Sequence, residues 1–232
     1  MNQELYKQLE LSISKDRLEE YKRILRTTKT KTVFTYYILN SELSKSWYMP
    51  LQNLEVTLRN NFHNVFTQYF KTNKWYEIED FLEVNELKKI ESAKYKIRKS
   101  RKEVTASRVI SELNFGFWTA LFSTQYEQKI WIKYSKDIFP NIPNKNKNRK
   151  LLSSKLNTIR YFRNRIFHFE PIFKNKNLNS VYTDILNMIK WLNLGIYSVT
   201  VEFDEFNDIC KNETKNTIKK LNKINQNYQL QS

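Results

Sequence analysis

"RKLLSSKLNTIRYFRNRIFHFEPIF", residues 149–173, decides the fold. Leu152, Leu156, Ile159, Phe162, Ile166 and Phe169 recur at spacings of three and four. That is the period of a helix with one buried face. Pro171 disfavours α geometry at Glu170, so the spacing predicts one long helix from about 149 to 168 that ends there. The same stretch gathers Arg160, Arg163 and Arg165, then Asn164 and His168, one of only two histidines in the chain. Packing alone requires none of these polar residues.

Working outward, other segments repeat the helical period. Ser14 can cap a helix over 14 to 27, with Leu18, Tyr21 and Leu25 on one face. A second covers 31 to 46 and stops before Pro50. The clearest is "LQNLEVTLRNNFHNVFTQYF", with Leu51, Leu54, Leu58, Phe62, Val65 and Tyr69 as its inward stripe. Residues 71 to 82 read as a loop carrying acids. Residues 84 to 101 read as a basic helix with Leu87, Ile90 and Ile97 inward. "TASRVISELNFGFWTALFSTQYEQKIWIKY" yields two or three short helices punctuated at Asn114–Gly116, with Trp118 and Phe122 packing inward. "FPNIPNKNKNRK" is a loop. Residues 178 to 194 form another helix through Val181, Ile185, Met188 and Leu192. A tail after 200 starts helical around Phe203, Phe206 and Ile209 and becomes polar.

The chain has 232 residues with 2 glycines and 4 prolines. Tight hairpins rely on glycine at positive φ, so this scarcity favours helices joined by short polar loops. No linker or repeat divides the chain. The expected organisation is one helical domain over 1–232, with an N-terminal helix at 14–27 and a helical tail at 200–232. The formal charge of +16 builds a field that attracts polyanions. Overuse of Lys and Asn across the chain would give the same number. The single cysteine, Cys210, rules out an internal disulfide framework and fits a reducing, cytoplasmic setting. No apolar run reaches the ~20 residues of a membrane span, so no membrane partner is expected. Two histidines and one cysteine do not make up a zinc site, and no phosphate-cradling glycine motif exists. No cofactor is expected.

At about 100° per residue, Asn164 lies about 200° from Phe162, away from the packing face. Arg160 and His168 sit four before and four after it, so the three form one polar row, with Arg163 alongside. Such a row is also what a solvated helix face looks like. It has the groups for cutting RNA through its own 2′-OH: an imidazole that titrates near neutrality for proton transfer, and guanidinium groups for charge on phosphate. One histidine serves both proton roles awkwardly; two copies face to face would supply two.

The six residues Arg163-Asn164-Arg165-Ile166-Phe167-His168 fit Arg-Asn-x-x-x-His, the signature of HEPN-domain ribonucleases. The sequence resembles their Abi-like (abortive infection) branch, the AbiD/AbiF type, where the signature commonly continues into Glu-Pro-Ile, as Glu170-Pro171-Ile172 do. "LEVTLRN" (54–60) and "SELNFGFWTALFSTQYEQKIW" (111–131) resemble the same group, so the resemblance spans roughly 15 to 195. It implies an all-α, HEPN-like helical bundle, with a core at about 31–195 and additional N- and C-terminal helices. It implies a homodimer whose signature helices meet at a cleft. It also implies metal-independent endoribonuclease activity leaving a 2′,3′-cyclic phosphate, in phage defence or as a toxin. Carried over, Arg163 and His168 are the catalytic pair and Asn164 their support. Many members of the family it resembles carry a second histidine where this chain has Phe169. A non-cleaving RNA-binding dimer, held with a small structured RNA, is the alternative; a docking protein or antitoxin is a third.

Glu55, Arg59 and His63 form a second row at spacings of four. Glu55 and Arg59 are expected to support the site, Glu55 by orienting Arg59; the bland alternative is an i, i+4 ion pair. His63 reads as an ordinary surface histidine. Lys94, Lys96, Arg98, Lys99 and Arg101, with Tyr95 for stacking, form a candidate RNA track, joined by Arg160 and Arg165. A solubilising face reads identically. The acids Glu77, Glu79, Asp80 and Glu83 read as a solvated patch or a contact to basic residues.

Overall fold

A computed structural model describes residues 3 to 231. Among these residues all regular structure is helical and no strand occurs. The helices are α1 (Gln3–Ile13), α2 (Lys15–Leu25), α3 (Thr30–Ser46), α4 (Tyr48–Phe70), α5 (Val84–Lys99), α6 (Ala106–Glu112), α7 (Phe115–Ala120), α8 (Ile132–Ile138), α9 (Arg149–Phe167), α10 (Leu178–Leu192), α11 (Leu194–Glu202) and α12 (Phe206–Gln231). Backbone contacts divide them into two compact units, each discontinuous in sequence. The first comprises 1–48, 164–178 and 203–232; the second comprises 49–163 and 179–202.

In the first unit, α1, α2 and α3 enclose a small aromatic core. Leu18, Tyr21, Val33 and Phe34 are buried, with Tyr6, Tyr37 and Phe173 packed against them. The rings of Tyr21 and Phe173 stack at 5.7 Å, and Tyr6 meets Phe34 edge-on at 5.3 Å. Such pairs add about 0.5–1.5 kcal/mol each beyond area burial. Ser14 caps α2 by accepting from the Arg17 amide, as its sequence position predicts. α12 packs on α3 where Trp47 and Phe206 meet edge-on at 5.2 Å.

The second unit is built on α4. Pro50 stands in its first turn, where a missing N–H breaks no helical bond. Leu51, Leu54, Leu58, Phe62, Val65 and Phe66 are buried along it. Phe62 packs on Trp118 and Phe122, and Phe66 packs on Trp75 and Phe81. Polar bonds fix the helix register. The Asn61 amide donates to the carbonyls of Ile138 and Leu192, closing the ends of α8 and α10. Asn53 donates to the Thr200 hydroxyl on α11. The buried Tyr126 hydroxyl donates to Glu86 at 2.8 Å and accepts from the Glu83 amide at 2.9 Å. Burial, before all else, pushes that phenol far above its ordinary pKa, so it stays a donor.

Glycine scarcity shows at the helix ends. α2, α5 and α9 end in the same double backbone closure, with Arg26, Arg101 and Phe169 at the left-handed residue (φ 51°, 55° and 59°) where glycine is usual. Each such non-glycine residue costs about 1 kcal/mol, which the capped carbonyls offset.

Several stripe positions differ from the periodic expectation. Leu87, expected inward, is 41% exposed, and Ala93 fills the α5 interface instead. Tyr69 is exposed, because its hydroxyl donates to Asp137 at the surface. Phe203 lies exposed before α12, and Phe206 makes the buried contact. Phe169 lies past the end of α9 and points outward, 70% exposed. No helix among the described residues is long and apolar enough to cross a membrane.

Candidate functional site

α9 runs unbroken from Arg149 to Phe167, and its Leu152, Leu156, Ile159 and Phe162 are buried. The polar residues of the Arg-Asn-x-x-x-His stretch therefore project from its other faces or follow its end. Arg163 is the last residue of the second unit; Asn164 and His168 belong to the first.

In the second unit, Arg163 Nε stands 3.4 Å from Glu55 Oε2 on α4. The carboxylate restrains the guanidinium while both side chains keep solvent access. Glu55 therefore orients Arg163, and not Arg59 as the spacing of four implies. Arg59 Nε instead donates to the neighbouring Asn60 Oδ1 at 3.4 Å, a weak local bond. His63 is no plain surface histidine. The buried Trp75 Nε1–H donates to its Nδ1 at 3.0 Å, which fixes the neutral ring with its proton on Nε2. Burial, with a smaller push from Arg59, lowers its pKa. This histidine is a partner for the core tryptophan. Arg160 lies 4.7 Å over its neighbour Tyr161, and its Nη2 donates to Asn157. Its Cδ would come within 3.8 Å of a Cβ at Gly116, inside the "NFGFW" block. Its Nε is buried without a hydrogen-bond partner. The stem is thus packed, and Arg160 is no freely swinging phosphate arm.

α5 sorts its cations into two kinds. Lys94 is only 13% exposed, bonded to Glu91 at 2.9 Å and Glu77 at 3.0 Å, with its amine over the Tyr76 ring. Burial opposes its charge, but the two carboxylates outweigh it and hold the amine above its ordinary pKa. Its amine is committed to Glu77 and Glu91. Lys96, Arg98, Lys99 and Arg101 are exposed at the end of the helix, beside an exposed Tyr95. Two of the four acids contact basic residues: Glu77 holds Lys94, and Glu83 holds Lys129 at 2.8 Å.

In the first unit, the turn after α9 is over-determined. The His168 amide donates to the Asn164 carbonyl, Phe169 to Ile166, and Glu170 to Arg165. The last two bonds form the double closure with Phe169 left-handed. Arg165 secures it: Nε meets Glu170 Oε2 at 3.1 Å and Nη2 donates to the Pro171 carbonyl at 2.9 Å. Arg165 is therefore a clamp on its own turn.

Two residues that the motif does not mark complete the mount. Arg17 on α2 donates to the Phe169 carbonyl at 3.0 Å and lies over its ring. Asn40 on α3, 4% exposed, donates to the Glu170 carbonyl at 3.2 Å and accepts from the Ile172 amide at 2.7 Å. A lone asparagine in register with buried Val33 and Leu43 is the sequence signal for such a clamp. Asn164 is half-buried and His168 is exposed. The first unit thus holds an exposed imidazole on a turn fixed by Arg17, Asn40 and Arg165.

No family model matches the chain, and comparison with curated proteins and with solved structures finds no match.

Proposed function

We propose that this chain is a metal-independent endoribonuclease of the HEPN type that acts in phage defence, in the cytoplasm, as a homodimer. The observation that carries this reading is the exposure of His168 on a turn fixed by Asn40, Arg17 and Arg165. In the proposed step a base removes the 2′ proton of the substrate ribose. The 2′ oxygen attacks the adjacent phosphorus, the bond to the 5′ oxygen breaks, and that oxygen takes a proton. The products are a 2′,3′-cyclic phosphate and a free 5′-OH; no water is consumed. His168 moves a proton at the reacting oxygens, and a second copy supplies the other imidazole. Arg163, restrained by Glu55, meets the charge on phosphate, where a guanidinium offers two parallel donors. Asn164 supports the pair.

One observation favours a second reading, an RNA-binding dimer that grips a small structured RNA without cutting it. Phe169, which follows His168, carries no proton, while the exposed Lys96, Arg98, Lys99 and Arg101 with Tyr95 retain the means to hold a strand. The two readings separate in one assay. Purified protein is incubated with end-labelled RNA in excess EDTA, beside Arg163→Ala. Cyclic-phosphate ends from the wild type and not from the variant support the nuclease; salt-sensitive binding without new ends supports the binder.

A further inference from the structure

In the second unit, α11 (Leu194–Glu202) is apolar on nearly every side, yet it packs by one face only. Thr200 is its single buried residue and receives the Asn53 amide. Ile196 and Tyr197 flank it, half-buried. At about 100° per residue, Leu194, Gly195, Ser198, Val199, Val201 and Glu202 fall on the arc opposite Thr200. Leu194, Val199 and Val201 are 51%, 49% and 44% exposed there. A helix that is apolar all round is ordinarily covered, and a contiguous apolar face left in water marks a contact surface.

Three features say what covers it. First, the face offers little to a polar ligand. Its one hydroxyl, Ser198 Oγ, donates to the Leu194 carbonyl of its own helix at 3.1 Å, and residues 191–201 carry no charge. Second, that lack of charge matters in a chain of +16. Two copies repel each other over most of their surface and approach most readily where charge is absent. Third, the two ends of the face complement each other. Glu202, exposed, closes the C-terminal end. Lys190, exposed at the end of α10, places its amine 5.3 Å over the Tyr197 ring, toward the N-terminal end. That end is also the positive pole of the helix. Two α11 helices laid antiparallel set each Glu202 against the other's N-terminal end and Lys190, so the favourable pair forms twice. The twofold then passes near Ser198, midway between Leu194 and Glu202, where Gly195 and Ser198 let the backbones come close. A patch that fits itself in this way is what a closed pair of identical chains requires.

We infer that the outward face of α11 is an interface with a second copy of this chain, the two helices packed antiparallel about a twofold near Ser198. The inference goes beyond the nuclease reading and is independent of it: it names a surface that joins two copies, whatever they do to RNA. The face is small, so the association is weak and rises with concentration.

The test is sedimentation of the full chain over a range of concentrations, beside charge variants. The wild type should gain mass reversibly as concentration rises. Val199→Lys places a cation in the face and should weaken self-association roughly tenfold, and Glu202→Lys should act likewise. Lys190→Glu combined with Glu202→Lys should restore it, since antiparallel pairing reverses both partners together. These side chains are exposed, so the melting temperature of each variant should hold. Ser198→Cys, made together with Cys210→Ser so that it carries the only thiol, should give a covalent dimer with a short bismaleimide. A wild type that stays a single chain at every concentration leaves the face to a different protein or to water and overturns the inference. So does self-association that Val199→Lys and Glu202→Lys both leave unchanged, which places the contact between copies elsewhere. If Val199→Lys does not fold, the exchange of Glu202 and Lys190 decides alone.

Discussion

The carboxylate of Glu55 and the guanidinium of Arg163 stand 3.4 Å apart, 23% and 29% exposed, joining α4 to α9. An ion pair this accessible contributes about 0–1 kcal/mol to stability. Its consequence is orientation.

Glu55→Gln removes the charge and keeps the shape. Its melting temperature should stay within a few degrees of wild type while RNA cleavage drops on the order of tenfold, since a mispositioned cation stabilises the developing phosphate charge poorly. Arg59→Ala, whose side chain bonds only its neighbour, should lose less. Equal losses in the two variants would restore the Glu55–Arg59 pairing that the spacing implies.

Asn40→Ala leaves the Glu170 carbonyl and the Ile172 amide without partners. Urea unfolding should show a loss of about 2–3 kcal/mol, the sum of two strained or unmet backbone bonds. A loss below about 0.5 kcal/mol would mean that water replaces the clamp.

The α5 cations divide by experiment as they divide by geometry. Replacing Lys96, Arg98, Lys99 and Arg101 together with alanine should weaken RNA binding and flatten the dependence of log K on log salt by about 0.7 for each phosphate no longer neutralised. Lys94→Ala should leave that slope unchanged and lower the melting temperature, because its amine serves Glu77 and Glu91. A changed slope in Lys94→Ala would return that residue to the track.

His63 predicts a pH dependence with a definite sign. Its folded pKa lies below the ordinary value of 6.5, so the folded state favours the neutral ring that accepts from Trp75. The associated stability is complete above about pH 6.5, is lost as pH falls through the lower folded pKa, and is absent below it. Melting temperature measured from pH 7.5 to 4.5 should therefore fall more in the wild type than in His63→Gln. Parallel curves would contradict this role.

The helical class was legible from periodicity and from the lack of glycine, because a buried stripe repeats whatever its neighbours are. The Leu152-to-Ile166 stripe of α9 and the stripe of α4 through Val65 are the clearest cases. The ends were harder. Phe169 continues the period yet is turned outward by a left-handed cap, a backbone event that side-chain spacing does not encode. α11 (Leu194–Glu202) is rich in β-branched residues and begins Leu-Gly; its helix depends on the packing of Thr200, which receives Asn53 from α4. α1 has a single buried residue, Leu5, and so a faint stripe. Among the candidate residues, Arg163 and His168 were marked by their types and spacing. The counter-charges of Lys94 and Arg165 were not legible, because sequence counts a cation without showing what pairs with it. Arg17 and Asn40 lie more than a hundred residues from the turn they hold, beyond the reach of any local pattern.

The most direct test of the exposed imidazole is the single-turnover cleavage rate of His168→Ala against wild type in EDTA, with and without added imidazole. A positioned proton donor or acceptor contributes about 10²–10⁴-fold. The expected result is a loss in that range with partial recovery on adding imidazole, since the vacated site is open to solvent. Equal rates for the two proteins would contradict the proposed role of His168 and leave the chain an RNA-binding protein at most.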